Sequence, residues 1–239
     1  MTLTIAPRVH DLGGFQVRRA VPSLQARSVG PFVFVDHMGP AIFEPGRGIA
    51  HSERTPQTLR EGGHPLHGMQ TWVALPQAHE ETAPEFHHHA AATLPHSERD
   101  GALLRVIAGR GYGLESPVRV FADTLNVAID LAPDAQIALE PSHPERALYV
   151  LEGQAQLDGA DIPAQHLVVL DRGATHALRA KTPLKAMLLG GEPLDGPRHL
   201  WWNFVSTSKE RIEQAKQDWL DGRFGTVPGD DEYIPLPER

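Results

Sequence analysis

Apolar residues along this chain come in short runs that keep stopping. "FQVRRAV", "PFVFVDH", "MQTWVAL", "LLRVIAG", "LNVAIDL", "RALYVLEG", "HLVVL" and "LKAMLLGG" are rich in β-branched and aromatic residues and end near Gly, Pro or Asp. That pattern predicts strands joined by turns, and an all-β sandwich or barrel rather than alternating βαβ units. The stretch from Glu80 to Asp100, "EETAPEFHHHAAATLPHSERD", has no sustained period and carries two prolines. It is expected to connect two β-rich halves, the second running to about Gly191. One helix is expected in "STSKERIEQAKQDWLDGRF", where Ile212, Ala215, Trp219 and Leu220 share a face. Thr207 and Glu210 have capping-box spacing there, and Gly222 can end the helix. The tail "VPGDDEYIPLPER" is expected to lie extended.

Composition narrows the function classes. A chain of 239 residues, 41% apolar, can bury one large core or two small ones. Its net charge of -8 and the lack of any long Lys/Arg run argue against direct nucleic-acid binding. With no Cys, disulfides, thiolate metal sites and thiol nucleophiles are excluded. The amino terminus has neither a basic nor an apolar leader pattern, and no apolar run reaches the ~18 residues of a membrane span, so a cytoplasmic location is expected.

Candidate chemistry centres on "GRGIAHSE". On a strand, residues i and i+2 project to one face, so His51 and Glu53 can point together into a barrel while Ser52 points out. Imidazole plus carboxylate suits non-haem Fe(II), whose oxygenase sites need at least two His and one carboxylate. Further candidates are His37 in "VDHMGP", and His64 and His67 in "GGHPLHGMQTW"; His67 is the best placed of these to serve as a replacement ligand, and barrel-end hydrogen bonding is the plainer role for all three. The histidines at 87 to 89 read as a solvated connector. "HEETA" lacks the second His of a zinc-protease helix, and "GRGYG" at 109 to 113 opens no predicted helix, so it does not read as a dinucleotide loop. In the second half, "PSHPERALYVLEG" and "LDRGATH" offer only His143, Glu145, Glu152 and His176, which reads as a metal-free barrel. Trp201, Trp202 and Phe204 in "HLWWNFV" read as a core plug beside the helix.

Taken together, "LGGFQVRRAVPS", "VGPFVFVDHMGP", "GRGIAHSE", "LHGMQTWVALP", "HEETAPEF" and the tail "GGEPLDGPRHLWWNFVSTSKERIEQAKQDW" resemble the pirin family along most of the chain. The resemblance implies a double-stranded β-helix bicupin, with a first cupin domain over residues 1–95 and a second, carrying the helix and tail, over 96–239. It also implies one iron held in the first barrel by three His and one Glu. His51 and Glu53 match the later pair of those ligands, and Glu53 would alternate between ligand and base. The earlier pair belongs to strands that the family places between Pro40 and Gly48, whereas this chain passes from "IFEPG" straight to "RGIAHSE". At ordinary strand and turn lengths the absent portion is roughly 40 to 50 residues, which leaves the N-terminal barrel incomplete.

The resemblance implies a quercetin 2,3-dioxygenase-like enzyme that takes a flavonol-like small molecule, here with its Fe(II) site impaired. The alternatives are a non-catalytic, metal-sensitive regulator with a protein partner, and a truncated relic. An open barrel further predicts self-association through Phe32 to Asp36 and Met69 to Leu75.

Overall fold

The computed structural model describes residues 2–11, 16–43, 64–83, 85, 87–224 and 233–237. In chain order the strands are β1 (Leu3–Ile5), β2 (Arg8–Asp11), β3 (Gln16–Val21), β4 (Phe32–Phe43), β5 (His64–Val73), β6 (His96–Arg99), β7 (Ala102–Gly111), β8 (Leu114–Glu115) and β9 (Thr124–Leu131). There follow β10 (Gln136–Leu139), β11 (Glu145–Glu152), β12 (Ala155–Leu157), β13 (Ala160–Ile162), β14 (Leu167–Val169), β15 (His176–Ala180), β16 (Leu184–Gly191), β17 (His199–Trp201) and β18 (Phe204–Ser206). Among the described residues one α-helix, α1 (Lys209–Leu220), comes last, and the all-β expectation holds.

An eight-stranded sheet runs β1–β14–β11–β16–β9–β7–β6, with β8 hairpinned onto β7. A four-stranded sheet, β10–β15–β12–β13, packs against one face of it. Leu104, Val127, Ile129, Leu148 and Val150 from the large sheet meet Leu139, Leu157, Ile162 and Leu178 from the small one. That is the jelly-roll sandwich of a cupin, with inward residues alternating along each strand.

The other face of the large sheet is also covered. Ala147, Tyr149, Leu167 and Leu189 pack with Ile5, Ala20, Val21, Val29, Phe32 and Val35. The continuous run "ALYVL" has its physical reason here: Leu148 and Val150 face one core while Ala147 and Tyr149 face the other. The chain accordingly divides into two compact units that do not follow its linear halves. The first comprises the described residues of Met1–Val9, Arg18–His37 and Met69–Leu194, and the second those of His10–Val17, Met38–Gly68 and Asp195–Arg239.

Close backbone approach explains one cluster of glycines. Gly30 has φ +53, and a Cβ there would lie 2.6 Å from the Gly191 amide nitrogen, so the loop before β4 can touch the end of β16 only without a side chain. The Gly30 amide donates to the Glu145 carboxylate at 2.8 Å in the same place.

Several expectations need correction. Phe32 to Asp36 do not form an open edge: β4 lies between β3 and β5, and these five residues are buried. The connector is not wholly irregular, since its last residues form β6, paired with β7. As expected, "GRGYG" opens no helix: it is the end of β7 and its turn into β8, with Tyr112 and Gly113 both at positive φ. The helix cap is Ser208, one residue beyond Thr207; its hydroxyl accepts from the Arg211 amide at 3.1 Å. Gly222 ends the helix as expected, at φ +68, with the Gly222 amide on the Trp219 carbonyl and the Arg223 amide on the Asp218 carbonyl. Ile212 and Ala215 are buried, whereas Leu220 is 59% exposed because the helix closes just there.

In the second unit, Trp201, Trp202 and Phe204 cluster with Trp219, Phe224 and Tyr233, but as a partly exposed aromatic cluster rather than the expected core plug: the first four are half-buried, and Phe224 and Tyr233 are 52% and 59% exposed. The Trp219 indole donates to the Ile234 carbonyl at 2.8 Å, which fixes that point of the tail.

Candidate metal centre

His51 and Glu53, the expected metal pair, and Glu53 as the expected base, lie outside the described residues. The strands on either side of them are described. On β4, alternate residues serve two different environments. Val35 and His37 share one face with the core of the large sheet's outer layer, and the His37 Nδ1 lies 3.2 Å from the Tyr149 hydroxyl. The two rings meet edge to face, with centroids 5.5 Å apart. Burial raises the Tyr149 pKa, so its hydroxyl stays protonated and can donate to a neutral imidazole. Barrel-end hydrogen bonding is therefore what His37 does.

Phe34 and Asp36 occupy the opposite parity. Arg19 from β3 grips the Asp36 carboxylate with two bonds of 3.0 and 2.9 Å, and its guanidinium lies 4.3 Å over the Phe34 ring. Phe34 in turn stacks on Trp72 from β5 at 4.4 Å. With only 3% of its side chain exposed and both oxygens on one guanidinium, Asp36 is committed to the ion pair rather than poised as a base or ligand. Arg19, Asp36, Trp72 and Tyr149 were not singled out from sequence. The available signal for the ion pair was charge set within largely apolar strands, Arg18 and Arg19 in "QVRRAV" and Asp36 in "FVFVDH".

The remaining candidates do not converge. His67 is exposed, and the side chain of His64 is not described. His87 pairs with Glu85 at 3.0 Å, and Glu85 pairs with Arg119 at 3.0 Å, all at the surface. In the second half, His143 contacts Ser142 at 2.9 Å and Asp123 at 3.5 Å. Glu145 accepts from Gly30, Glu152 lies 3.8 Å from Lys185, and the His176 Nδ1 lies 2.7 Å from Asp158. Burial lowers the His143 pKa, with Asp123 opposing the shift, and the Ala177 amide and His176 hold the Asp158 pKa low. Among the described residues no group of three His, Asp or Glu could hold a metal ion.

Arg146 is the feature that sequence reading missed in the second barrel. It shares the inward parity of Leu148 and Val150 and is 1% exposed. Its two terminal nitrogens donate to the carbonyls of Leu139, Glu140, Asp171 and Ala174 at 2.7 to 3.1 Å. One guanidinium thus ties the segment before β11 to the turn before β15. Tyr112 nearby has its pKa raised to about 12, by burial first and then by Glu140.

Comparison with known proteins places this architecture. The model of the pirin C-terminal cupin domain matches residues 126–225. A pirin-like protein of Caulobacter vibrioides is 39% identical over 99% of both chains. This chain belongs to the pirin family. A Pseudomonas aeruginosa protein provisionally named quercetin 2,3-dioxygenase is 31% identical over 90% of this chain and 82% of its own. A solved quercetin 2,3-dioxygenase from Acinetobacter baumannii superposes with a TM-score of 0.85 at 26% identity, covering 100% of this chain and 96% of the other. The alignment with the Caulobacter pirin-like protein spans 287 positions although this chain has 239 residues, so that relative carries residues without a counterpart here.

Proposed function

We propose that this pirin-family chain descends from a mononuclear iron dioxygenase acting on quercetin-like flavonols and has lost an effective Fe(II) site. The observation that carries this reading is the direct passage from "IFEPG" to "RGIAHSE", which omits the strands that supply the family's earlier ligand pair. The excess length of the aligned relative supports the same reading, being of the order of the roughly 40 to 50 residues expected from strand and turn lengths. His51 and Glu53 alone supply two ligands where such iron sites need three or more. Among the described residues no group of three His, Asp or Glu could hold a metal ion, and Asp36 is taken up by Arg19. On this reading the donors among the described residues fall short of the family's iron set.

On this reading the two cupin halves meet at residues 95 and 96, and the working compartment is the cytoplasm. The chain then acts as a binding protein, through a partner-facing surface rather than through turnover. Iron content per chain, measured on untagged protein from iron-supplemented cells, tests the proposal together with quercetin consumption. Iron far below one per chain and no quercetin loss are expected. Near-stoichiometric iron that disappears in His51→Ala would overturn the reading and restore the dioxygenase.

A further inference from the structure

The large sheet ends on β6, and among the described residues no strand pairs with its outer side. Which backbone groups face outward follows from the ladder on the inner side. β6 runs antiparallel to β7, with His96 opposite Arg105, Ser97 opposite Leu104, Glu98 opposite Leu103 and Arg99 opposite Ala102. The Val106 amide donates to the Pro95 carbonyl at 3.0 Å, which marks Pro95 and Val106 as a hydrogen-bonded position of that ladder. Such positions alternate, so Ser97 and Arg99 also turn their backbone groups toward β7. The Ala132 amide on the Gly101 carbonyl, across the far side of β7, requires the same parity. His96 and Glu98 therefore turn their amides and carbonyls away from the sheet.

A strand added at this edge must bond to His96 and Glu98. The sequence His-Ser-Glu-Arg is complementary to itself in one register. With a two-fold axis at Ser97, His96 of one copy lies opposite Glu98 of the other, and Glu98 opposite His96. All the outward groups then meet outward groups, which makes four backbone hydrogen bonds. Each imidazole sits across from a carboxylate on the same face of the sheet. The small Ser97 meets its own equivalent at the close, non-hydrogen-bonded position, with Cα atoms ~4.5 Å apart. Moving the axis to Glu98 would set carboxylate against carboxylate, and moving it to His96 would set imidazole against imidazole. A strand of four polar and charged residues discourages indiscriminate pairing, so charge order selects this partner.

We infer that the chain forms an isologous homodimer in which β6 pairs antiparallel with β6 of a second copy about a two-fold axis at Ser97. The inference is independent of the metal question and places self-association at the end of the large sheet rather than at Phe32 to Asp36 and Met69 to Leu75.

The chain has no Cys, so Ser97→Cys introduces a single thiol. Mild oxidation is expected to convert this variant to a covalent dimer, because the close antiparallel position suits a disulfide. Arg99→Cys is expected to stay uncross-linked, since its equivalents would lie about 14 Å apart along the strands. In sedimentation equilibrium, His96→Glu should weaken the dimer of the otherwise native chain by about tenfold or more, by opposing two carboxylates twice. The double variant His96→Glu, Glu98→His should recover it. A native chain that stays monomeric across the accessible concentration range would overturn the inference. So would equal cross-linking of both thiol variants, or a dimer indifferent to His96→Glu.

Discussion

The His37 imidazole meets the Tyr149 hydroxyl 3.2 Å away, linking β4 to β11 through a polar contact within an otherwise apolar layer. Both residues are fully buried. Tyr149→Phe keeps the ring and its edge-to-face packing while deleting the donor, so it should cost about 1 kcal/mol. A urea titration should show a lower midpoint with an unchanged slope.

Arg146 should matter more. Arg146→Met preserves much of the apolar stem but leaves four carbonyls without their shared donor, a loss expected to exceed about 3 kcal/mol. Arg146→Lys should rescue little, because a compact ammonium cannot span both segments as the planar fork does. Thermal unfolding of the three proteins side by side decides it.

A pH dependence follows from His143. Its folded pKa is lowered, chiefly by burial, so the unfolded chain takes up the proton more readily. The stability this group contributes is complete above its unfolded pKa of about 6.5 and is lost as pH falls toward the lower folded value. His143→Gln should flatten that part of the stability profile. In NMR the His143 ring should remain neutral at a pH where exposed imidazoles are half protonated.

The ends of α1 offer a paired test. Ser208→Ala removes the hydroxyl that accepts from the Arg211 amide and should cost about 1 kcal/mol. Gly222→Ala meets no neighbour within 4 Å, yet its φ of +68 alone should cost a similar amount, about 1 kcal/mol. Thr207→Ala should be close to neutral as regards capping. Urea unfolding followed by Trp fluorescence separates the three.

What could be read in advance was whatever short-range pattern determines. Strands such as "LNVAIDL" and "LKAMLLGG" are legible because alternating or doubly buried positions leave a local trace, and Gly222 is legible because a left-handed helix end favours glycine. The role of Arg146 was not legible: its partners lie 6 to 28 residues away, and an Arg beside an apolar run reads as a strand end at the surface. The packing of Val29, Phe32 and Val35 against β11 and β14 was hidden for the same reason, because nothing local in "PFVFVDH" says which sheet it will cover. The cap was missed by one residue because Thr207 and Ser208 are chemically near-equivalent and only backbone direction chooses between them. As for His51 and Glu53, sequence offered the spacing, and they lie outside the described residues.

The guanidinium of Arg146 gives the second barrel a cation that is covalently part of the chain. No chelator can strip it and no dialysis can dilute it. If metal is withdrawn from the protein, the unfolding of this barrel should therefore stay where it was. It serves as an internal reference, and any shift that chelation does cause must be assigned elsewhere in the molecule.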